Sequence, residues 1–303
     1  MRILVTGGAG FVGSNVVNVL EDKGAEVIVL DDFSHANYKN LLDSKAEIVC
    51  TDILNEKVFD KLPKIDGVIH EAAVTDTTLD DDTKMMAVNF NGFKNVLNFC
   101  LKKNIRLVYA SSAGVYGSGP SPMKEDQKKI PHNIYAYSKY MCDCLVQKSM
   151  NKRGSPLIVG LRYFNVYGPA EYHKGTSASM IYQLYLQMKD GKNPRVFKWG
   201  EQKRDFVYVK DVARITVEAL QLKQSTILNL GTGKARSFND IISALNKVLG
   251  SDLKPDYFDN PYEGKYQDYT EADITQLTER FGSGAQYSLE EGVSDYITGY
   301  LSL

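Results

Sequence analysis

The sequence predicts an α/β protein, with a doubly wound parallel sheet in the first part of the chain and a smaller α/β cap in the second. Short apolar runs recur at residues 3–6, 26–30, 47–50, 67–70, 106–110 and 157–162. Near-continuous apolar strands of this kind belong to sheets covered on both faces. Helical patterns lie between them, the alternation that builds crossover units. A turn with glycines at positions 7, 10 and 13 joins the first strand to the first helix.

The chain opens as strand 3–6, the glycine turn, a helix to about residue 20, and strand 26–30 ending at Asp31. Gly7, Gly10 and Gly13 allow a tight turn, close approach of a pyrophosphate, and packing of helix on strand. The helix start at Phe11 and Val12 offers backbone N–H groups and partial positive charge to phosphates. With an acid at the end of the next strand, the layout is that of a dinucleotide site. Asp31 stands where a carboxylate accepts from the adenosine ribose, and Asp32 beside it repels a 2′-phosphate. His35 and Lys39 can offset that repulsion, so NAD and NADP both remain open, with the acid pair favouring NAD. After strand 47–50, Asp52 and Ile53 suit either a helix cap or a nucleotide contact. Strand 67–70 passes through His70 into Ala72 and Ala73, where the backbone runs close to a cofactor. His70 is read as a packed or hydrogen-bonded neighbour. Thr75, Thr77 and Thr78 begin a polar loop, and a helix over 85–100 carries Asn89.

Strand 106–110 ends in Ser111 and Ser112, and residues 133–139 read Asn-Ile-Tyr-Ala-Tyr-Ser-Lys. Tyr135 and Lys139, four apart on a helix, lie side by side on one face. A phenol is a poor base at neutral pH, and a nearby ammonium favours the phenolate and suits it to proton transfer. Tyr137 and Tyr140 have Met141 and Cys144 at that spacing. A lone pair of this kind is more often ordinary helix surface. The nucleotide turn upstream and Ser112 at a strand end favour a proton-transfer set of Ser112, Tyr135 and Lys139.

Composition narrows the partners. The 303 residues are 43% hydrophobic and 24% charged, enough for one large domain or two coupled ones. A net charge of -1 gives no general electrostatic reason to expect nucleic acid or anionic membrane. Cys50, Cys100, Cys142 and Cys144 lack paired C-x-x-C spacing, so reduced thiols are expected and no metal. No leader pattern and no apolar run of membrane length is seen, so a cytoplasmic protein is expected.

The G-x-x-G-x-x-G spacing, together with Ser112, Tyr135 and Lys139, resembles the extended branch of the short-chain dehydrogenase/reductase superfamily, whose sheet is of the Rossmann type. The resemblance implies that Ser112 hydrogen-bonds the reacting alkoxide and that Asp52 and Ile53 hold the adenine. The run from Arg162 through Asn165 to Pro169 resembles the R-x-F-N-x-Y-G-P signature of nucleotide-sugar enzymes, in which the asparagine meets the substrate's phosphate. It further implies a cofactor domain at 1–168, with 205–233 returning to it, and a substrate cap at 169–204 and 234–303. Arg204 suits a diphosphate, since a guanidinium binds phosphate oxygens bidentately.

The runs 171–179, 203–209, 229–233 and 264–267 with 272–273 are similar to the ADP-glyceromanno-heptose 6-epimerase family over nearly the whole chain. That likeness implies inversion at C6 of an ADP-linked heptose, a lipopolysaccharide precursor. The carbon is oxidised to a 6-ketone and the same hydride is returned. It also implies Lys174 as a second acid/base, and Thr77, Ser112, Asn165, His173, Ser179, Arg204 and Tyr266 as substrate contacts. One tightly bound NAD(P) per subunit and a homo-oligomer are expected. The family habit is NADP, from which Asp32 departs. A UDP-hexose 4-epimerase needs the same serine, tyrosine and lysine and stays open, as does a nucleotide-sugar dehydratase. A pure nucleotide-binding module would need the glycines and Asp31 but not the proton-transfer set.

Overall fold

The computed structural model describes residues 1–76, 81–150, 152–259 and 269–301. Two compact units divide the chain. The first comprises Met1–Gly117, Lys128–Tyr163 and Ala213–Leu228, and the second Ser118–Gln127, Phe164–Val212 and Asn229–Leu303.

In the first unit the strands are β1 (Arg2–Thr6), β2 (Glu26–Asp31), β3 (Glu47–Cys50), β4 (Gly67–His70), β5 (Arg106–Ser112) and β6 (Ile158–Tyr163). The helices are α1 (Phe11–Asp22), α2 (Asp82–Met86), α3 (Phe93–Lys103) and α4 (Ile134–Met150). β1 pairs in parallel with β2 and β4, β2 with β3, β4 with β5, and β5 with β6. The chain moves from β1 outward to β3 and then restarts on the other side of β1 at β4. Such a reversal opens a crevice at the carboxyl ends of the strands, where ligands bind in sheets of this kind. Apart from the largely exposed edge strand β3, the strands are apolar because both faces are covered. Leu4, Ile28, Leu30, Val68, Leu107 and Ile158 lie in one buried cluster with Phe93, Val96 and Leu97 of α3 and Cys142 and Val146 of α4.

The helix expected over 85–100 is continuous in effect, but its middle, Ala87–Gly92, is wound as a π-turn. Insertions of this sort mark places where a side chain has been re-aimed. Here it is Asn89.

The second unit holds β7 (Asn165–Tyr167), β8 (Arg195–Phe197), β9 (Lys203–Tyr208), β11 (Ala235–Ser237) and β12 (Asp256–Phe258), with β10 (Thr226–Leu230) crossing the division. Its helices are α5 (Met180–Met188), α7 (Phe238–Leu249), α8 (Thr275–Phe281) and α9 (Leu289–Tyr296), and α6 (Val209–Ala219) crosses the division. The segment expected to return to the large sheet splits in two. β10 does join it, on the edge beside β6, whereas β9 forms a three-stranded sheet with β7 and β11. The carboxylate of Asp205 is satisfied where β9 lies. It is fully buried on β9 and accepts from the Thr232 N–H (2.7 Å) and hydroxyl (2.6 Å), the Gly233 N–H (2.9 Å) and the Ala272 N–H (3.1 Å). Four donors from the same unit satisfy this buried carboxylate.

The helix expected from Ser237 onward is α7, with a capping box between Ser237 and Asp240 and with Ile241, Ile242 and Leu245 buried. Ser288 and Glu291 form the expected capping box of α9. Among the described residues, no helix is long and apolar enough to cross a membrane.

Candidate active site

The glycine turn is shaped by close contacts that only glycine permits. Gly7 has φ +71°, and a Cβ there would lie 2.5 Å from the Ala72 nitrogen; one on Gly13 would lie 2.1 Å from the Gly7 oxygen. Helix α1 therefore starts tight against β1, and β4 passes beside the turn at Ala72. The first turn of α1 has neither a side-chain cap nor an acidic residue. An uncapped helix start is what a phosphate occupies. The residues present thus fit a dinucleotide.

Asp31 is 7% exposed, and its two oxygens accept from the Ala9 N–H and the Phe33 N–H, each at 2.9 Å. It ties the glycine turn to the end of β2. Asp32 is exposed and turned on its own loop, accepting from the Ser34 N–H (2.9 Å) and hydroxyl (2.7 Å). Lys39 is exposed as well, and the Asn40 amide holds the loop to the Ala9 carbonyl at 3.0 Å. Asp52 accepts from the Leu54 N–H at 2.8 Å, a local turn, while Ile53 is buried against Gly92.

Asn89 is fully buried and engaged on every side. Its oxygen accepts from the Val74 N–H (2.8 Å), and its amide donates to the Val74 carbonyl (2.9 Å) and the Ser138 hydroxyl (3.2 Å). It rivets the loop after Ala72 and Ala73 to α4. His70 is 1% exposed, with Nδ1 2.7 Å from the Thr6 hydroxyl. Burial, with the Lys139 charge, pushes its imidazole down to about 3, which keeps it neutral. It is a packed neighbour, as expected.

Three elements converge on the proton-transfer candidates. Ser112 ends β5 and caps the short turn after it, its Oγ accepting from the Gly114 N–H at 3.1 Å, which leaves the hydroxyl proton to donate elsewhere. A Cβ on Gly114 would lie 3.3 Å from the Ser112 Oγ and 3.4 Å from the Ala136 Cβ, so the serine turn packs on the turn of α4 that carries Tyr135. Lys139 is 3% exposed, with its Nζ 6.0 Å from the centre of the Tyr135 ring and donating to the Ala110 carbonyl at 2.9 Å. Tyr135 is half-buried, whereas Tyr137 is 42% exposed.

Two groups here went unread in the sequence, Asp143 buried and Glu71 half-buried. Asp143, one turn beyond Lys139, accepts from Arg162 Nε (2.9 Å) and from the Tyr109 hydroxyl (2.8 Å), while Arg162 Nη1 donates to the Tyr116 hydroxyl at 2.7 Å. The i, i+4, i+8 series Tyr135, Lys139, Asp143 was its only sequence signal. Glu71 accepts from the Tyr163 hydroxyl at 2.8 Å, and burial pushes its carboxyl up to about 7 against the pull of that bond and of Lys139. Its position beside His70 gave no such hint.

In the second unit, Asn165 is exposed on β7, and Arg204, on β9, is 6% exposed with Nη1 donating to the Lys203 carbonyl at 2.9 Å. His173 and Lys174 are half-buried in one short helical turn, Tyr172–Ser177. Burial lowers the Lys174 ammonium from its ordinary value, opposed by the charge of Glu171. Ser179 has its hydroxyl in use. It caps α5, accepting from the Tyr182 N–H at 3.2 Å, and donates to Glu171 at 2.9 Å. Thr77 and Tyr266, with the run 264–267, lie outside the described residues.

Residues 3–231 match the NAD dependent epimerase/dehydratase family. Among solved structures, ADP-L-glycero-D-manno-heptose-6-epimerase of Helicobacter pylori is 38% identical, with a TM-score of 0.93 over 100% of this chain and 96% of that one. UDP-glucose 4-epimerase of Thermotoga maritima is 29% identical, with a TM-score of 0.91 over 100% and 99% of the two chains. UDP-N-acetylglucosamine 4-epimerase of Methanobrevibacter ruminantium M1 is 27% identical, with a TM-score of 0.92 over 99% and 98%. The glycine turn, the acid at the end of β2 and the reversal of the sheet at β1 are what a nicotinamide dinucleotide requires, and the chain belongs to the NAD-dependent epimerase/dehydratase family, as an NAD(P)-dependent epimerase of nucleotide sugars.

Proposed function

We propose that this enzyme inverts C6 of ADP-D-glycero-D-manno-heptose to the L-glycero form. The observation that carries the reading is Lys174, a half-buried lysine in a run that resembles the heptose enzymes, in a chain 38% identical to one of them from end to end. When bound, NAD(P) accepts a hydride from the substrate carbon and returns it. In one direction Tyr135 takes the proton of the substrate hydroxyl on oxidation and Lys174 gives a proton to the moved oxygen on reduction, and in the reverse direction the two exchange roles. Lys139 holds positive charge beside the phenol, and Ser112 donates to the oxygen on the reacting carbon. Inversion requires that carbon to present opposite faces, which moves its oxygen. A phenol fixed on α4 can serve one position, and Lys174 supplies the proton transfer for the other. Asn165 and Arg204 are assigned to the substrate's phosphates.

Lys174→Met tests this assignment. Epimerisation of ADP-heptose should fall by roughly 10²-fold or more, with bound cofactor and substrate affinity nearly unchanged. Weakened affinity at an unchanged maximal rate would make Lys174 a binding residue and favour a UDP-hexose 4-epimerase, so UDP-glucose and UDP-galactose belong in the same assay.

The cofactor itself is tested by denaturing the purified enzyme and identifying the nucleotide released. Asp31 and Asp32 both place negative charge at the end of β2, and NAD is expected at least as abundantly as NADP. Release of NADP alone would show that His35, Lys39 or a neighbouring loop neutralises the acid pair.

A further inference from the structure

One buried guanidinium joins the strand end that carries Ser112 to the helix that carries Tyr135 and Lys139. Arg162 lies near the end of β6, opposite Ser111 of β5 in the parallel register, and is 1% exposed. Its Nη1 donates to the Tyr116 hydroxyl at 2.7 Å, and its guanidinium carbon lies 5.1 Å from the centre of the Tyr116 ring. Its Nε donates to one oxygen of Asp143 at 2.9 Å, and the other oxygen of that carboxylate accepts from the Tyr109 hydroxyl of β5 at 2.8 Å. Tyr109, Tyr116 and Asp143 are each 1% exposed or less.

The two ends of this chain belong to the elements that carry the reacting groups. Tyr116 closes the short turn Ala113–Tyr116, and the Ser112 hydroxyl caps its start. The turn is fixed beyond Tyr116 as well. The Gly117 N–H donates to the Gly114 carbonyl at 3.1 Å and the Ile130 N–H to the Val115 carbonyl at 3.0 Å, and a Cβ on Gly117 would clash with the Ile130 carbonyl. Asp143 stands one helical turn after Lys139 and two after Tyr135 on α4. Ser112 is thus tied to α4 by two routes, through the packing of Gly114 on Ala136 and through Tyr116, Arg162 and Asp143. Packing sets closeness more than angle. A planar guanidinium that donates to two partners in fixed directions constrains the placement of both.

A buried ion pair is a weak source of stability, because desolvation offsets much of its attraction, and its better use is to select one arrangement among several. In proton transfer the arrangement matters greatly. A displacement of about 1 Å can cost roughly 10²-fold in rate.

We propose that Arg162 is a positioning residue for the reaction: by holding Tyr116 of the serine turn and Asp143 of α4 at once, its guanidinium sets the spacing of the Ser112 hydroxyl from the Tyr135 phenol. Buried as it is, Arg162 acts through those two groups and not on the substrate. The proposal rests on the roles given above to Ser112 and Tyr135, and not on which nucleotide sugar is turned over.

A double-mutant cycle tests it, using whichever of ADP-heptose and the UDP-hexoses the wild-type enzyme turns over. Tyr116→Phe removes one oxygen and keeps the ring. Turnover per folded, cofactor-loaded enzyme should fall about tenfold or more, at unchanged KM and with unchanged nucleotide released on denaturation. In a Ser112→Ala background, which has no hydroxyl to position, the same change should cost less than about twofold. Damage to the fold would instead multiply with loss of the serine. Unchanged turnover in Tyr116→Phe, or the full loss repeated in the Ser112→Ala background, overturns the proposal while leaving the role of Ser112 intact. Full turnover in Ser112→Ala alone is a separate failure, which removes the role of the serine and its positioning together. Should Tyr116→Phe not fold, Arg162→Lys, which keeps a positive charge and gives up the planar fork, goes through the same cycle and is judged by the same outcomes.

Discussion

Tyr135→Phe is expected to retain its dinucleotide and to lose turnover by roughly 10²-fold or more, the usual cost of deleting a general acid/base. The change removes one oxygen and keeps the ring, so the packing of α4 on the Ser112 turn is preserved. Single-turnover measurement with bound nucleotide quantified separates the two effects, and near-normal turnover would sink the assignment. Lys139→Ala should fail differently. Its ammonium is 3% exposed and anchored on the Ala110 carbonyl at 2.9 Å. The variant loses the charge beside Tyr135 and leaves a buried carbonyl without its donor. It should therefore lose activity and retain cofactor less well.

Breaking the Asp143–Arg162 pair should have the largest effect on stability. The two side chains are 2% and 1% exposed and 2.9 Å apart. Asp143→Ala takes the carboxylate from a buried guanidinium that also donates to the Tyr116 hydroxyl and lies 5.1 Å from the centre of that ring. Removing one partner of a buried pair costs about 3–5 kcal/mol, more than replacing both with apolar groups of similar size. Denaturant unfolding should show Asp143→Ala far below wild type and the double variant Asp143→Leu/Arg162→Met above either single change. A loss in the double variant equal to the sum of the two single losses would mean that the residues act separately. Because Asp143 lies on the face of α4 that carries Tyr135 and Lys139, Asp143→Ala should also lower turnover in whatever protein remains folded.

The sequence was most informative where chemistry repeats at short range. Three glycines, an acid at a strand end, a tyrosine four residues before a lysine and a serine closing a strand could be read directly, because each depends on local backbone geometry or helical spacing. The same holds for the capping boxes at Ser237 and Ser288. The alternation of apolar strands with helices was enough to predict the doubly wound sheet.

What only the tertiary structure decided are the partners of buried charge. Asn89 is committed to Val74 and Ser138 and so holds the loop after Ala73 to α4. Ser179, expected at the substrate, spends its hydroxyl on Glu171 and the start of α5. β9 pairs in the smaller sheet rather than the large one, and Asp205 on it meets four donors there. Glu71 and Glu171 carry no pattern that marks them and Asp143 only its helical spacing from Lys139, while their partners stand 92, 8 and 19 residues away. A buried carboxylate must be satisfied by whatever donors the fold brings to it, and spacing along the chain does not reveal which those will be.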